Sequence, residues 1–261
     1  MAKAAGGVPE FVQVRDVRVR LLQGGEGAPL LYLHGAGRTG IWLPVLEELA
    51  KGFKVYAPDH PGFGQSDRPD WLEVMDDLVY HYLDFLDLMG LEKVAVAGIS
   101  FGGWLAAELA VAHPDRISKL VLAGPSGLRV EGAPMADLFA LSPEKLPEYL
   151  FADPKMVEAA ASAELTPEIE QELYRGRYTL AHLGWNPLLC NPALRRRLYR
   201  ITCPTLVLWG EKDRLIPPAH GEVYASEIAD ARLEIMKGCG HAIQLERPRE
   251  LAEEVTRFIK G

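Results

Sequence analysis

Val94-Ala95-Val96-Ala97-Gly98-Ile99-Ser100-Phe101-Gly102-Gly103-Trp104 joins an apolar run of β character to a helical run that continues to residue 113. Between the two lies the pattern Gly-x-Ser-x-Gly. A serine at a sharp strand-to-helix turn needs residues without side chains two positions to either side, because the backbone there is crowded. Gly98 and Gly102 meet that need. The turn lifts the Ser100 hydroxyl clear of the sheet and sets it at the positive end of the next helix, where developing negative charge is stabilised. Ser100 is the candidate nucleophile.

A serine hydroxyl needs a base, and the base needs a group that orients it. Two later β-type runs are followed by loops that offer both. Thr205 to Trp209 leads into Gly210-Glu211-Lys212-Asp213, and Arg232 to Met236 leads into Lys237-Gly238-Cys239-Gly240-His241. In an open parallel sheet the loops beyond the carboxyl ends of the strands converge on one edge. Asp213 and His241 are therefore the candidate acid and base, although Asp213 in this position can also cap the helix expected near Pro217.

The order Ser, Asp, His and five ordered blocks give the chain a resemblance to the α/β-hydrolase family, in its serine-nucleophile branch. The blocks are Leu31-Tyr32-Leu33-His34-Gly35-Ala36-Gly37, the loop from Asp59 to Ser66, the serine turn, and the Asp213 and His241 loops. The resemblance implies that backbone N–H groups of Phe101 and Ala36 form the oxyanion hole and that His34 braces the first loop. An ordinary glycine-rich turn at 34–37 would look the same in sequence.

Apolar runs at 30–33, 54–57, 94–97, 120–123, 206–209 and 233–236 read as buried parallel strands, preceded by two antiparallel strands within 12–22. Helical spacing fills 42–50, 75–89, 104–112, 219–227 and 248–260. The fold class is α/β, a mostly parallel sheet flanked by helices. The rhythm breaks after residue 125, where prolines and helix-like stretches at 154–163 and 167–183 replace the βα pattern. We divide the chain into a core, 1–125 with 200–261, and a helical cap, 126–199. Leu138, Phe139, Leu141, Leu146, Tyr149, Leu150, Phe151, Met156 and Trp185 make the cap apolar enough to wall a chamber or attach it to the core.

A net charge of −8 opposes a nucleic-acid role, and Arg195-Arg196-Arg197 with Arg200 is too small a basic cluster to reverse it. No run reaches the ~18 apolar residues of a membrane span. Residues 1–10 lack the apolar stretch of a secretory leader, and the three cysteines are too few for a disulfide framework. The expectation is a cytoplasmic protein with no cofactor, no metal and a small-molecule acyl substrate; Cys239, near His241, reads as a small buried residue. The oligomeric state is not legible.

These residues point to a serine hydrolase of small carboxylic esters acting through an acyl-enzyme, with perhydrolysis as a side activity. From another class, the fold also serves as a non-catalytic ligand receptor. The alternative within hydrolases comes from a narrower resemblance. Glu172-Leu173-Tyr174-Arg175-Gly176-Arg177-Tyr178, Ala231-Arg232-Leu233 and Cys239-Gly240-His241 look like the hydrolases that cleave a carbon–carbon bond in ring-opened aromatic catabolites, the meta-cleavage products. That resemblance implies that Arg177 binds the substrate's carboxylate and dienol end. The chain departs from the group at Ala242, where an aromatic residue usually follows the histidine, and at Ile99, where an asparagine often precedes the serine.

Overall fold

A computed structural model describes residues 7, 9–37 and 39–261. The N-terminal run read for a leader falls mostly outside them.

The strands are β1 Glu10–Val14, β2 Val17–Gly24, β3 Ala28–Leu33, β4 Phe53–Pro58, β5 Val94–Ile99, β6 Ile117–Ala123, β7 Thr205–Gly210 and β8 Ala231–Met236. They form one sheet in the order β1-β2-β4-β3-β5-β6-β7-β8. β2 runs antiparallel to both of its neighbours, and every later pairing is parallel. The chain moves outward from β3 to β4, then crosses back to β5 on the other side of β3. This reversal opens a crevice outside the carboxyl ends of β3 and β5, the place where ligands bind in open α/β sheets.

Alternate side chains of the parallel strands enter two separate cores. Leu31, Leu33, Val94, Val96, Leu120, Leu122, Val207 and Trp209 pack with α2 Met75–Leu88, α3 Phe101–Ala112 and α7 Ala219–Glu227. Leu30, Tyr32, Ala95, Ala97, Val121, Leu206 and Leu208 pack with α1 Pro44–Leu49 and α9 Pro248–Lys260 on the other face. Full burial of each Val or Leu contributes about 1.5–3 kcal/mol, so the central strands form a rigid platform for the loops at their ends.

Between β6 and β7 the chain leaves the sheet and forms α4 Leu146–Leu150, α5 Pro154–Ala161 and α6 Pro167–Gly184. Thr166 caps α6 by accepting from the Ile169 N–H at 3.4 Å, and Pro167 takes the first helical position. α6 lies against the loop after β4. Thr179 donates to Gly62 O at 3.0 Å, and Arg175 donates to Gly64 O and Ser66 O at 3.1 and 3.0 Å. The two arms of the insertion meet at a bridge between Gly127 and Cys190. α4 and the one-turn helix α8 Ile243–Glu246 had no counterpart in the sequence reading, because helices this short show no period. Trp185, read with the apolar chamber, is 63% exposed and rests its ring on Phe139.

Candidate active site

Ser100 joins β5 to α3 with φ 53° and ψ −114°, a conformation that costs a non-glycine residue of order 1–3 kcal/mol and that the surroundings must enforce. The enforcement is visible. Ser100 N donates to Ala123 O at 2.9 Å, and Ser100 O accepts from Trp104 N at 3.0 Å and Ser126 N at 3.2 Å. A Cβ at Gly98 would overlap Gly102 O, and one at Gly102 would overlap Leu33 O and His34 O. These two positions explain the glycines of the motif.

The loops after β7 and β8 bring their residues to the same point. Ser100 Oγ donates to His241 Nε2 at 2.9 Å, and His241 Nδ1 donates to Asp213 Oδ2 at 2.7 Å. Asp213 Oδ1 accepts from Leu215 N and Ile216 N at 2.9 and 2.8 Å. One carboxylate thus orients the imidazole and also fixes its own loop; it does not cap the helix that follows, since α7 begins only at Ala219 and has no side-chain cap. Both Asp213 and His241 are buried, so water competes little for these bonds. Gly124, at φ 52°, leaves space beside the pair: a Cβ there would lie 3.5 Å from His241 Nδ1.

The 34–37 turn closes the other side of Ser100. A Cβ at Gly35 would meet Ser100 Cβ at 3.3 Å. The Phe101 N–H stands at the first position of α3, and neither it nor the Ala36 N–H donates to a backbone carbonyl among the described residues. N–H groups in such positions, beside a nucleophile, can donate to a developing oxyanion.

Beneath this turn lies a network of neutral rings. His34 Nδ1 donates to Gly35 O at 2.7 Å, while His34 Nε2 accepts from His60 N at 2.9 Å. His60 Nε2 donates to His34 O at 2.9 Å, and His60 Nδ1 accepts from the Tyr82 hydroxyl at 2.6 Å. Each ring has one donating and one accepting nitrogen, so a further proton would break a bond. The sequence showed that His34 precedes the turn but gave no sign of His60 or Tyr82 as its partners.

This network carries a pH prediction. Burial holds His34 below its usual range and His60 well below it, with neighbouring histidines adding to the effect on His60; burial likewise lowers His220 and takes His81 down to about 4. An unfolded histidine titrates near 6.5, so below that pH the unfolded chain takes up protons that the folded chain refuses. Stability from these groups is complete above about pH 6.5 and falls as the pH drops from there toward 4. Glu108 and Glu234, raised chiefly by burial, act in the opposite sense from the ordinary carboxylate range upward, two groups against the four histidines. The urea midpoint should therefore fall between pH 7 and 5, and a level midpoint across that interval would contradict the assignment.

Arg177 occupies a place that sequence did not foresee. Its Nη2 donates to the carbonyls of Leu138, Phe139 and Leu141 at 3.4, 3.1 and 3.4 Å, and it pairs with no carboxylate among the described residues. The guanidinium braces the first loop of the insertion. Cys239 is buried, and burial together with Glu246 pushes its thiol up to about 12, which keeps it unreactive. Among the described residues no cluster of His, Cys, Asp and Glu could hold a metal, and no helix is long and apolar enough to cross a membrane.

Comparisons with known proteins agree with this architecture. The model of the alpha/beta hydrolase family matches residues 30–254. The chain is 31% identical over 266 residues to a 2-hydroxymuconate semialdehyde hydrolase of Pseudomonas sp. (strain CF600), covering 93% of this chain and 90% of that one. The structure of a 2-hydroxy-6-oxo-6-phenylhexa-2,4-dienoate hydrolase from Rhodococcus sp. strain RHA1 superposes with a TM-score of 0.80 at 25% identity, covering 98% of this chain and 99% of that one. A membrane phospholipase A, described as a bacterial virulence factor, superposes at 0.79 with 27% identity, covering 99% and 87%. With its family match spanning the sheet, the serine turn and the loops that bear Asp213 and His241, this chain belongs to the alpha/beta hydrolase family and is an enzyme of the hydrolase class.

Proposed function

We propose that this protein hydrolyses the carbon–carbon bond of a ring-opened 2-hydroxy-6-oxo-dienoate, with Ser100, His241 and Asp213 as its catalytic triad and Ala36 and Phe101 as its oxyanion donors. The observation that carries the substrate class is similarity to hydrolases of such compounds along nearly the whole chain, insertion included. This reading reverses the order of the two hydrolase alternatives drawn from sequence.

The hydrogen-bond chain suits the chemistry. Ser100 Oγ attacks the ketone at C6 while His241 Nε2 takes its proton, and the N–H groups of Phe101 and Ala36 receive the oxyanion. Collapse breaks C5–C6 and leaves the electron pair on C5. A carbanion is a poor leaving group unless conjugated to an acceptor. If the 2-hydroxyl proton has first moved to C5, the departing carbon is vinylogous to a C2 ketone and leaves as a dienolate. His241 returns its proton to that fragment, and water then hydrolyses the acyl ester on Ser100. Residues 126–199 act here as the cap over the crevice.

Arg177 is our candidate for the substrate carboxylate. Its Arg177→Ala variant should lose about 10- to 100-fold in kcat/KM on an anionic dienoate, the worth of one charge-assisted hydrogen bond, and only a few-fold on a neutral butyrate ester. Equal losses on both substrates would assign Arg177 to bracing the 138–141 loop alone. Hydrolysis of neutral esters remains the second reading, favoured by Ala242, which puts an alanine and not an aromatic residue directly after His241, and by likeness to a phospholipase. Turnover of both substrates by the wild type, ranked by kcat/KM, decides between them.

A further inference from the structure

Glu246, at the end of α8, is buried, and its oxygens are taken by hydrogen-bond donors. Oε1 accepts from Ala152 N at 2.8 Å and Asp153 N at 2.9 Å. Oε2 accepts from Gly240 N and, at 3.5 Å, from Cys239 Sγ. The first pair belongs to the turn between α4 and α5 of the insertion, and the second to the loop that carries His241. Three of the four donors are backbone N–H groups that can only donate, so the site demands an acceptor at both oxygens.

The same two segments touch again beside the carboxylate. Ala242 N donates to Leu150 O at 2.9 Å. A Cβ on Gly240 would lie 2.8 Å from both Ala152 N and Leu150 O, so only glycine lets the histidine loop approach the turn this closely. Nothing else about Glu246 requires this arrangement: a helix end at the surface would not spend a buried carboxylate on two distant stretches of backbone, because desolvating it is costly unless every lone pair is used.

We propose that Glu246 is a positioning residue for the hydrolysis: its carboxylate ties the 150–153 turn of the insertion to the loop that carries His241, so that the imidazole is held on Ser100 only while the insertion is seated. The proposal rests on Ser100 and His241 performing the reaction, and not on which substrate they act upon. It links seating of the insertion to the readiness of the base.

The test uses the full chain and a fluorophosphonate probe, whose reaction with Ser100 depends on the activated serine and not on the natural substrate. Glu246→Gln keeps the shape but turns an NH₂ toward one pair of N–H donors. Ala152→Pro removes one donor from the insertion side and leaves Glu246 intact; Phe151 before it is already extended, at φ −116° and ψ 141°, as a following proline requires. Both variants should label Ser100 at least about tenfold more slowly, as a small misplacement of a catalytic group does. Backbone hydrogen exchange should rise together in 150–153 and 238–242, with the sheet unchanged. Because both changes break one link, the double variant should be no slower than the slower single one. Purely structural damage would lower the melting temperature without slowing labelling of the folded protein. Labelling within twofold of wild type in a folded Glu246→Gln, or rates that multiply in the double variant, overturns the proposal. If Glu246→Gln does not fold, Ala152→Pro alone decides, by the same rate and exchange criteria. A wild type that labels but turns over neither dienoate nor ester refutes the substrate reading and leaves this one standing, whereas a wild type that does not label refutes both.

Discussion

Ser100→Ala is expected to abolish covalent labelling by a fluorophosphonate and to lower kcat by several orders of magnitude, about 10⁶-fold where the whole effect passes through an acyl-enzyme, as in serine protease precedent. The oxyanion donors and the binding crevice survive the change, so a residual rate of about 10³-fold over water is compatible with the mechanism. Ser100 also holds a strained backbone, at φ 53°. Alanine shares the steric limits of serine there, so the elbow should keep its shape and folding should be little affected. Labelling that persists in the variant would remove Ser100 from the chemistry. A carbon–carbon hydrolase that used His241 to activate water directly would lose the labelling and keep most of its turnover, so measuring both separates the covalent route from that one.

Asp213→Asn should lower kcat by about 10⁴-fold, because an amide donates toward His241 Nδ1 and selects the tautomer whose Nε2 cannot take the serine proton. The geometry adds a constraint. Asp213 Oδ1 accepts from Leu215 N and Ile216 N, and Oδ2 from His241. Asparagine has one acceptor oxygen, and the loop's two N–H groups should claim it, leaving its NH₂ opposed to the imidazole. The loop should therefore keep its fold while the base is disabled. Unfolding of the variant would show that the carboxylate serves mainly to close its loop, and a rate within tenfold of wild type would transfer the orienting role elsewhere.

The parts of the site that could be read from sequence are those whose demand on the chain is local. Gly98, Ser100 and Gly102 lie within five consecutive positions of one turn, and the apolar runs Leu30 to Leu33 and Leu206 to Trp209 are what strands covered on both faces require. Asp213 and His241 were legible at longer range because each follows directly on a strand, and strands of one parallel sheet deliver their ends to a common edge. Other features had no such signature. His60 and Tyr82 pair across 22 residues and Glu246 and Ala152 across 94, joined by no periodicity. The resemblance gave Arg177 only a substrate-binding role, yet its Nη2 is held by backbone carbonyls of 138–141, acceptors that every residue carries and that sequence cannot single out.

The bridge between Gly127 and Cys190 is reinforced by Gly127 N donating to Leu189 O at 2.9 Å and Asn191 N donating to Gly127 O at 3.0 Å. The chain therefore leaves the core and returns to it through a single doorway, and the entropic cost of closing whatever lies between grows only slowly with its length. What spans residues 128–189 is in effect an exchangeable cassette: descent or design can lengthen, shorten or replace it, provided the new segment renews the packing that Leu128, Leu180 and Leu189 now give the core. One toll on such an exchange is set by Glu246, which a replacement must meet with two N–H groups of its own; another is set by the carbonyls of Gly62, Gly64 and Ser66, which now accept from α6.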